Sequence, residues 1–514
     1  MASYVLKVDW NKDGDFGDTG EDVSARTLSI SCSRGRDYAS QLTGRSIAGF
    51  LTATLNNESG DYSSFNSASP IYGNILPGRK VQLAAGSGSF PYTFPIYFEG
   101  SVVVWTGYLQ SIMPSPSVEG LNTVTLTATG SLGYLNQREV EIGMEASVLT
   151  GTAVGDILDK VAWAAGDRTL DGGQTTMTRF WTDKIRTVGS LRKVEDTEMG
   201  FIGESAAGYI IFEDRHHRMK APHITSQATY TDAPGGALGY IGLSQEDPLE
   251  QIYNIFEAEI KLYTVGSLAV VWTCPESGAS SPLIAAGASR TFWASYPNPD
   301  SATDARAINA WTTPVATTDY VANTAADGSG TNITASMTIA VTKFSTSMKI
   351  QITNDYTQHA YITLLQARGT PVTVSDPLKV KAEDSTSKTA YGERNYPNPA
   401  EFIPDSDEAQ AWCDSNLSMY KDPQPVLGVT LFANRSHPHL EEAFNRDISD
   451  RITLVASNDA GLGINEDFFI EAIYHEIEAT DLSHSVTYLL SPVGMLGGFF
   501  ILDTSVLDTG RLFY

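Results

Sequence analysis

Basic residues are scarce in this chain. Its 514 residues carry 34 Lys and Arg against 60 Asp and Glu, a formal net charge of −26. So acidic a surface repels phosphate backbones, which argues against a nucleic-acid-binding role. Cysteine is scarcer still. Cys32, Cys274 and Cys413 are odd in number, far apart and outside any CxxC pair, so neither a zinc knuckle nor a disulfide framework is indicated. They read as free, mostly buried thiols of a protein made in a reducing cytoplasm. No window approaches the roughly 18 uninterrupted apolar residues of a membrane span. The opening MASYVLKVDW lacks the basic region and apolar core of a signal peptide. There is no solenoid or propeller period and no low-complexity tail.

Enzyme signatures are missing as well. HEIEATDLSH (475–484) has a His-Glu pair but not the second His of an HExxH helix, and no G-x-S-x-G elbow or Walker loop occurs. The histidine clusters RHHRM (215–219) and SHPHL (436–440) lack a third ligand nearby and read as solvated or structural. Two distant carboxylates would suffice for a glycosidase, but nothing in the sequence selects a pair. No catalytic residue is assigned.

What the chain does contain is alternation. Tyr4, Leu6, Val8 and Trp10 share one face of the first segment, and LNTVTLTATG (121–130) and TASMTIAVTKF (334–344) repeat the pattern. A period of two in β-branched and aromatic residues means half-buried strands, so the chain is mainly β. Helical periodicity is confined to three stretches. In 152–166, Val154, Ile157, Leu158, Val161 and Ala165 share a face and Gly166 is the stop; 190–200 opens on a possible Ser190 cap and closes on Gly200; 406–423 ends at Pro423. Turn-rich stretches at 138–151, 233–242, 295–306 and 396–408 mark boundaries.

The most conspicuous motif is VDWNKDGDFGDTGEDV (8–23). Asp9, Asn11 and Asp13 occupy positions 1, 3 and 5 of a calcium-type loop, Gly14 takes the turn position, and Asp15 could donate its carbonyl. Position 12, where a bidentate Glu would close such a loop, is Gly20, and carboxylates follow only at Glu21 and Asp22. The flanks are strands, so this is no EF-hand. Two readings stay open: a structural Ca2+ held by Asp9, Asn11, Asp13 and Asp15, or a solvated acidic turn whose Asp, Asn and Gly serve the backbone. No other cofactor is indicated.

Several stretches, taken in order, resemble the tail-tip or baseplate-hub (minor tail) proteins of tailed bacteriophages. The acidic hairpin running into EDVSARTLSISCSRGRD (21–37) is similar to that family's acidic hairpin, following strand and RGR turn. GFLTATLNNESGDYSSFNSASPIYGNILPGRKVQL (49–83) looks like its "L-x-N-x-x-G-x-Y-S-P-x-N" stretch and "L-x-P-G-R" sequel, with Ser64 where proline is usual. WTGYLQSI (105–112), LRKVEDTEMGFIGESAAGYIIFEDRHHR (191–218) and STSKTAYGERNYPNP (385–399) resemble the next strand, the helix with its "G-x-L-x-F-E-x-R" unit, and the "S-x-x-x-Y-G-x-R" strand with its return helix. The region from about 265 to 379 matches weakly.

The resemblance implies a multi-domain, hub-like architecture of β-barrel and β-sandwich domains with a few short helices. Its parts would be a barrel-like hub domain (1–140), an α+β domain (141–255), an inserted immunoglobulin-like sandwich (256–384), a return strand and helix (385–424), and a C-terminal β domain (425–514). It further implies a non-enzymatic virion protein at the tail tip, made in the host cytoplasm. A homotrimer would cap the tail tube, bind the distal tail or tube ring on one side and the central spike or fibre on the other, and let DNA pass during ejection without specific binding. Two other readings remain, a carbohydrate-binding adhesin and a β-scaffold glycan hydrolase. In the insert, Trp293, Tyr296 and Trp311 are expected in the core rather than stacked on sugars. The apolar stretch 491–514 is expected either to dock on a neighbouring subunit or tail ring or to form the chain's own last strand.

Overall fold

The structure, a computed structural model, describes residues 3–36, 45–86, 101–118, 120–246, 249–297, 306–374, 377–398, 401–478 and 483–493. The C-terminal stretch beyond 493 therefore lies outside the described residues. No described helix is long and apolar enough to cross a membrane.

Alternation does what it predicts. In the strand Thr123–Thr129, Val124, Leu126 and Ala128 are fully buried while the threonines between them face out. This strand (β6) belongs to a 12-stranded sheet with β1 (Ser3–Val8), β2 (Thr27–Arg36), β3 (Ser46–Asn56), β4 (Lys80–Gly86) and β5 (Ser101–Ser115). The order is β1-β4-β5-β6-β3-β2, then on through Ile464–Glu478, Ser483–Pro492, Val426–Phe432 and Gly242–Glu246. Arg451–Ala456 pairs with Ile464–Glu478, and Thr229–Thr231 lies parallel to it.

Two expectations are corrected here. The C-terminal strands are not a separate domain: Ser29–Gly35 of β2 pairs directly with Ala472–Glu478, and one hydrophobic core spans both halves. Among the described residues the sheet does not close into a barrel, since β1 and Gly242–Glu246 stand at its ends. It nonetheless curls, because α6 (His437–Asn445) puts Leu440, Ala443 and Phe444 into that core and Phe444 meets Tyr4 of β1 edge-on at 6.2 Å. Arg34 to Arg36, the RGR of the resemblance, stay within β2, and residues 37–44 that follow lie outside the described residues. Gly35, at φ 125, is required there because a Cβ would collide with the backbone of Glu471 and Ala472.

A second core joins α1 (Ser131–Leu135), α2 (Thr150–Lys160) and α3 (Thr187–Glu198) to the antiparallel pair Glu139–Leu149 and Thr176–Arg186. The expected turn-rich boundary at 138–151 is thus mostly strand. α2 stops at Lys160, not at Gly166, and Ala165 is exposed. α3 starts earlier than expected, so Ser190 lies buried inside it and caps nothing. Three stretches read without helices contain them: α1, α6, and α4 (Ser385–Tyr391) where a strand was expected. α4 forms because the Asp384 carboxylate caps the Ser387 N–H at 2.8 Å. α5 (Ser406–Tyr420) follows its periodicity, with Asp405 accepting from the N–H groups of Asp407 and Glu408.

The insert is reached through Ile255–Ile260 and left through Leu378–Glu383, which pair antiparallel with Ile260 opposite Leu378. Between them two sheets share one core: strands gathered on Ala360–Val374 face the trio Ser289–Ser295, Ser347–Asn354 and Met337–Lys343. Trp311 is buried in that core and Tyr296 packs against it. Trp293 departs from expectation, at 51% exposed. Its ring stacks on Phe344 under the Lys184 ammonium, next to bonds from Ser345 and Thr346 to Thr182 and Asp183, so it serves the seam between the insert and the α+β unit.

Candidate functional site

The acidic loop leaves β1 at Val8 and returns at Val23. Its neck is closed by Val8 N–H to the Glu21 carbonyl at 2.9 Å and Val23 N–H to the Leu6 carbonyl at 3.0 Å. Trp10 turns inward as alternation requires, with its indole N–H on the Gly20 carbonyl at 3.1 Å and its ring beside Tyr62. This anchors the loop on the sheet edge and leaves the carboxylates above it.

Asp9 is buried and organises the first turn. Its Oδ1 accepts the N–H of Lys12 at 2.6 Å and of Asp13 at 3.2 Å, and its Oδ2 accepts that of Gly14 at 3.1 Å. Gly14 sits at φ 99, a conformation that favours glycine. Asn11 uses its side-chain amide to bridge the carboxylates of Asp13 and Asp18. Asp15 turns its carboxylate onto the Gly17 N–H at 2.7 Å and stays exposed. Glu21, only 1% exposed, accepts the Asp18 N–H on Oε2 at 3.0 Å, while its Oε1 is buried with no hydrogen-bond partner.

Asp9, Asp13 and Glu21 each offer an oxygen, and these lie within 4.8 Å of one another. They are the one such cluster of acids, histidines or cysteines among the described residues. Burial raises the Glu21 carboxyl above its ordinary value, and the charges of Asp18, Asp9 and Asp13 add to the rise. Exposed Asp13 moves the other way, lowered by the Asp15 N–H and the Asn11 amide. Of the four positions read from the sequence, the fold brings Asp9 and Asp13 together, sets Asn11 beside them as a bridge, and directs the Asp15 side chain elsewhere. Glu21 is the member that reading left out. Its signal was visible, a carboxylate one residue beyond position 12, but only the loop's path decides between Glu21 and exposed Asp22.

The histidines resolve differently. His475 and His484, nine residues apart in the motif that failed as HExxH, come together across a hairpin. His475 Nδ1 lies 3.0 Å from His484 Nε2, and His484 Nδ1 lies 2.7 Å from the Tyr4 hydroxyl, all inside the large sheet. Burial pushes His484 down to about 3 and His475 well below its ordinary range, so both are neutral structural groups. His439 is likewise held, by the Ser436 hydroxyl and the Gly239 carbonyl. His217 pairs with Asp171 at 2.8 Å and lies 4.8 Å from the ring of His223, and neither histidine belongs to the carboxylate cluster. Cys32 and Cys413 are buried free thiols, and Cys274 is partly buried.

No protein-family model and no curated protein matches the sequence. Solved structures match the fold. The 43 kDa tail protein of prophage MuSo2 from Shewanella oneidensis is 12% identical, covering 95% of this chain and 98% of that one, with a TM-score of 0.48. The tail protein from Neisseria meningitidis MC58 is 8% identical over 96% of this chain and 98% of its own, with a TM-score of 0.51. At 8% identity the likeness to the Neisseria protein is one of fold, and it runs from end to end.

Proposed function

We propose that the protein is a structural component of a phage-type tail tip, a non-catalytic hub subunit. Three copies form a ring that caps the tail tube and carries a central spike or fibre. The observation that supports this reading is the end-to-end likeness in fold to a protein described as a tail protein. The chain's own chemistry fits. The outward face of β2, β3, β6 and the hairpin that follows β2 in the sheet is mostly polar, with Ser29, Ser31, Thr52, Glu476, Glu478 and Ser485 around a shallow groove and Phe50 exposed further along β3. A channel wall of that composition, in a subunit of net charge −26, would let phosphate backbone pass without holding it. On this reading that face turns toward the lumen.

The test is negative-stain electron microscopy of the purified protein, alone and mixed with tail-tube protein. Three-fold rings with an open centre are expected. Monomers that persist in both samples overturn the hub.

A further inference from the structure

We propose that Asp9, Asp13 and Glu21 hold a hard divalent cation of the Ca2+ type, which staples the exit of the N-terminal loop to its return. This inference stands on the loop alone and does not depend on the tail-tip reading.

Four observations carry it. First, Glu21 is 1% exposed with its Oε1 buried and without any hydrogen bond, and its carboxylate brings an oxygen within 4.8 Å of oxygens of Asp9 and Asp13. A buried charged oxygen left unpaired is costly, and a cation in its path removes that cost. Second, the chain supplies no positive partner of its own: among the described residues no Lys, Arg or His forms an ion pair with Asp9, Asp13 or Glu21, and Lys7 reaches only the Phe16 carbonyl. Third, the donors are all carboxylate oxygens, with no histidine or cysteine in the group, which selects a hard ion over zinc or copper. Fourth, Asp9 is aimed before any ion arrives, by three backbone N–H groups of the turn that Gly14 permits. Ca2+ takes about 6–8 oxygens in flexible geometry and would complete its shell with backbone carbonyls and water. Mg2+ demands a tighter octahedron and keeps more of its water.

The cation would bridge Asp9, the first residue after edge strand β1, and Glu21, whose carbonyl already closes the loop's neck onto Val8. Its effect would be to lock the sheet edge on which Trp10 and Tyr62 pack.

The experiment uses the full chain stripped with a chelator, then titrated with Ca2+ or Mg2+ while its melting temperature is followed. Tb3+ luminescence sensitised through Trp10 reads the same site directly. Expected are a Ca2+-dependent rise in melting temperature, a smaller response to Mg2+ at equal concentration, and a Tb3+ signal that Ca2+ displaces. Asp13→Asn, at an exposed position, and Glu21→Gln should each abolish the rise and the signal, while Asp15→Asn keeps both. In chelator, Glu21→Gln should melt no lower than the wild type, because it removes a repelled carboxylate. Absence of both the rise and the signal in the wild type overturns the site. So does a rise that survives in both D13N and E21Q, or one that Mg2+ reproduces in full.

Discussion

At the scale of single residues, Glu471 ties the large sheet to the α+β unit. Its strand bulges between Ile470 and Ala472, and there the side chain meets two guanidiniums. Arg218 grips it with two bonds of 2.6 and 2.9 Å, and Arg36 adds one at 2.7 Å. Burial alone would raise this carboxyl, but Arg218 and Arg36 outweigh it and hold the group at about 2, against an ordinary 4.5. A carboxyl depressed in the folded state contributes stability above its unfolded value and loses it as pH falls. The window here runs from about 4.5 down to about 2. Glu471→Gln leaves two buried cations short of a partner and should cost about 3–5 kcal/mol at neutral pH. Urea unfolding of both proteins checks this, and the gap between them should narrow as pH drops through that window. A gap that stays constant from about pH 7 to about pH 3, well inside that window, would mean that the charge contributes nothing.

At the scale of elements, the end of α2 separates a sequence rule from its physical cause. The sequence places a stop at Gly166, yet the helix ends at Lys160 and the left-handed residue is Ala162, at φ 55. Ala162 N–H bonds to the Asp159 carbonyl at 3.0 Å and Trp163 N–H to the Leu158 carbonyl at 2.9 Å, while Trp163 and Leu158 share the core. That is a Schellman closure with alanine where glycine is usual. Burial of Trp163 outweighs the local preference, which is why the helix stops before Gly166. Ala162→Gly should relieve the left-handed strain and stabilise the protein by about 1 kcal/mol, net of glycine's entropy. A raised melting temperature would bear this out; a lowered one would show that the alanine methyl contributes packing that its exposure does not suggest.

For the whole molecule, the insert is grafted onto neighbouring antiparallel strands, so its two ends meet at Ile260 and Leu378. A segment whose ends already lie side by side can be replaced by a tight turn with little entropic penalty. Replacing residues 261–377 by Asn-Gly should leave a chain that melts cooperatively and, on the hub reading, still forms rings. Loss of folding would instead show that the Trp293 seam and the contact of Tyr263 with Trp181 and Phe402 are essential to the remainder.

Sequence by itself determined the mainly β class, the acidity, the strand faces and the position of the acidic loop. Each rests on local patterning or on composition, which survive without knowledge of the path. Tertiary structure decided everything that depends on distant segments meeting. It joined β2 to a strand more than four hundred residues later in one sheet, and set Tyr4 against His484. It also chose Glu21 over Asp22, and this last choice shows why. The two are adjacent in sequence and chemically alike, but successive side chains of extended backbone point to opposite sides. Only the path closed by Val8 and the Glu21 carbonyl decides which carboxylate faces Asp9 and which faces water.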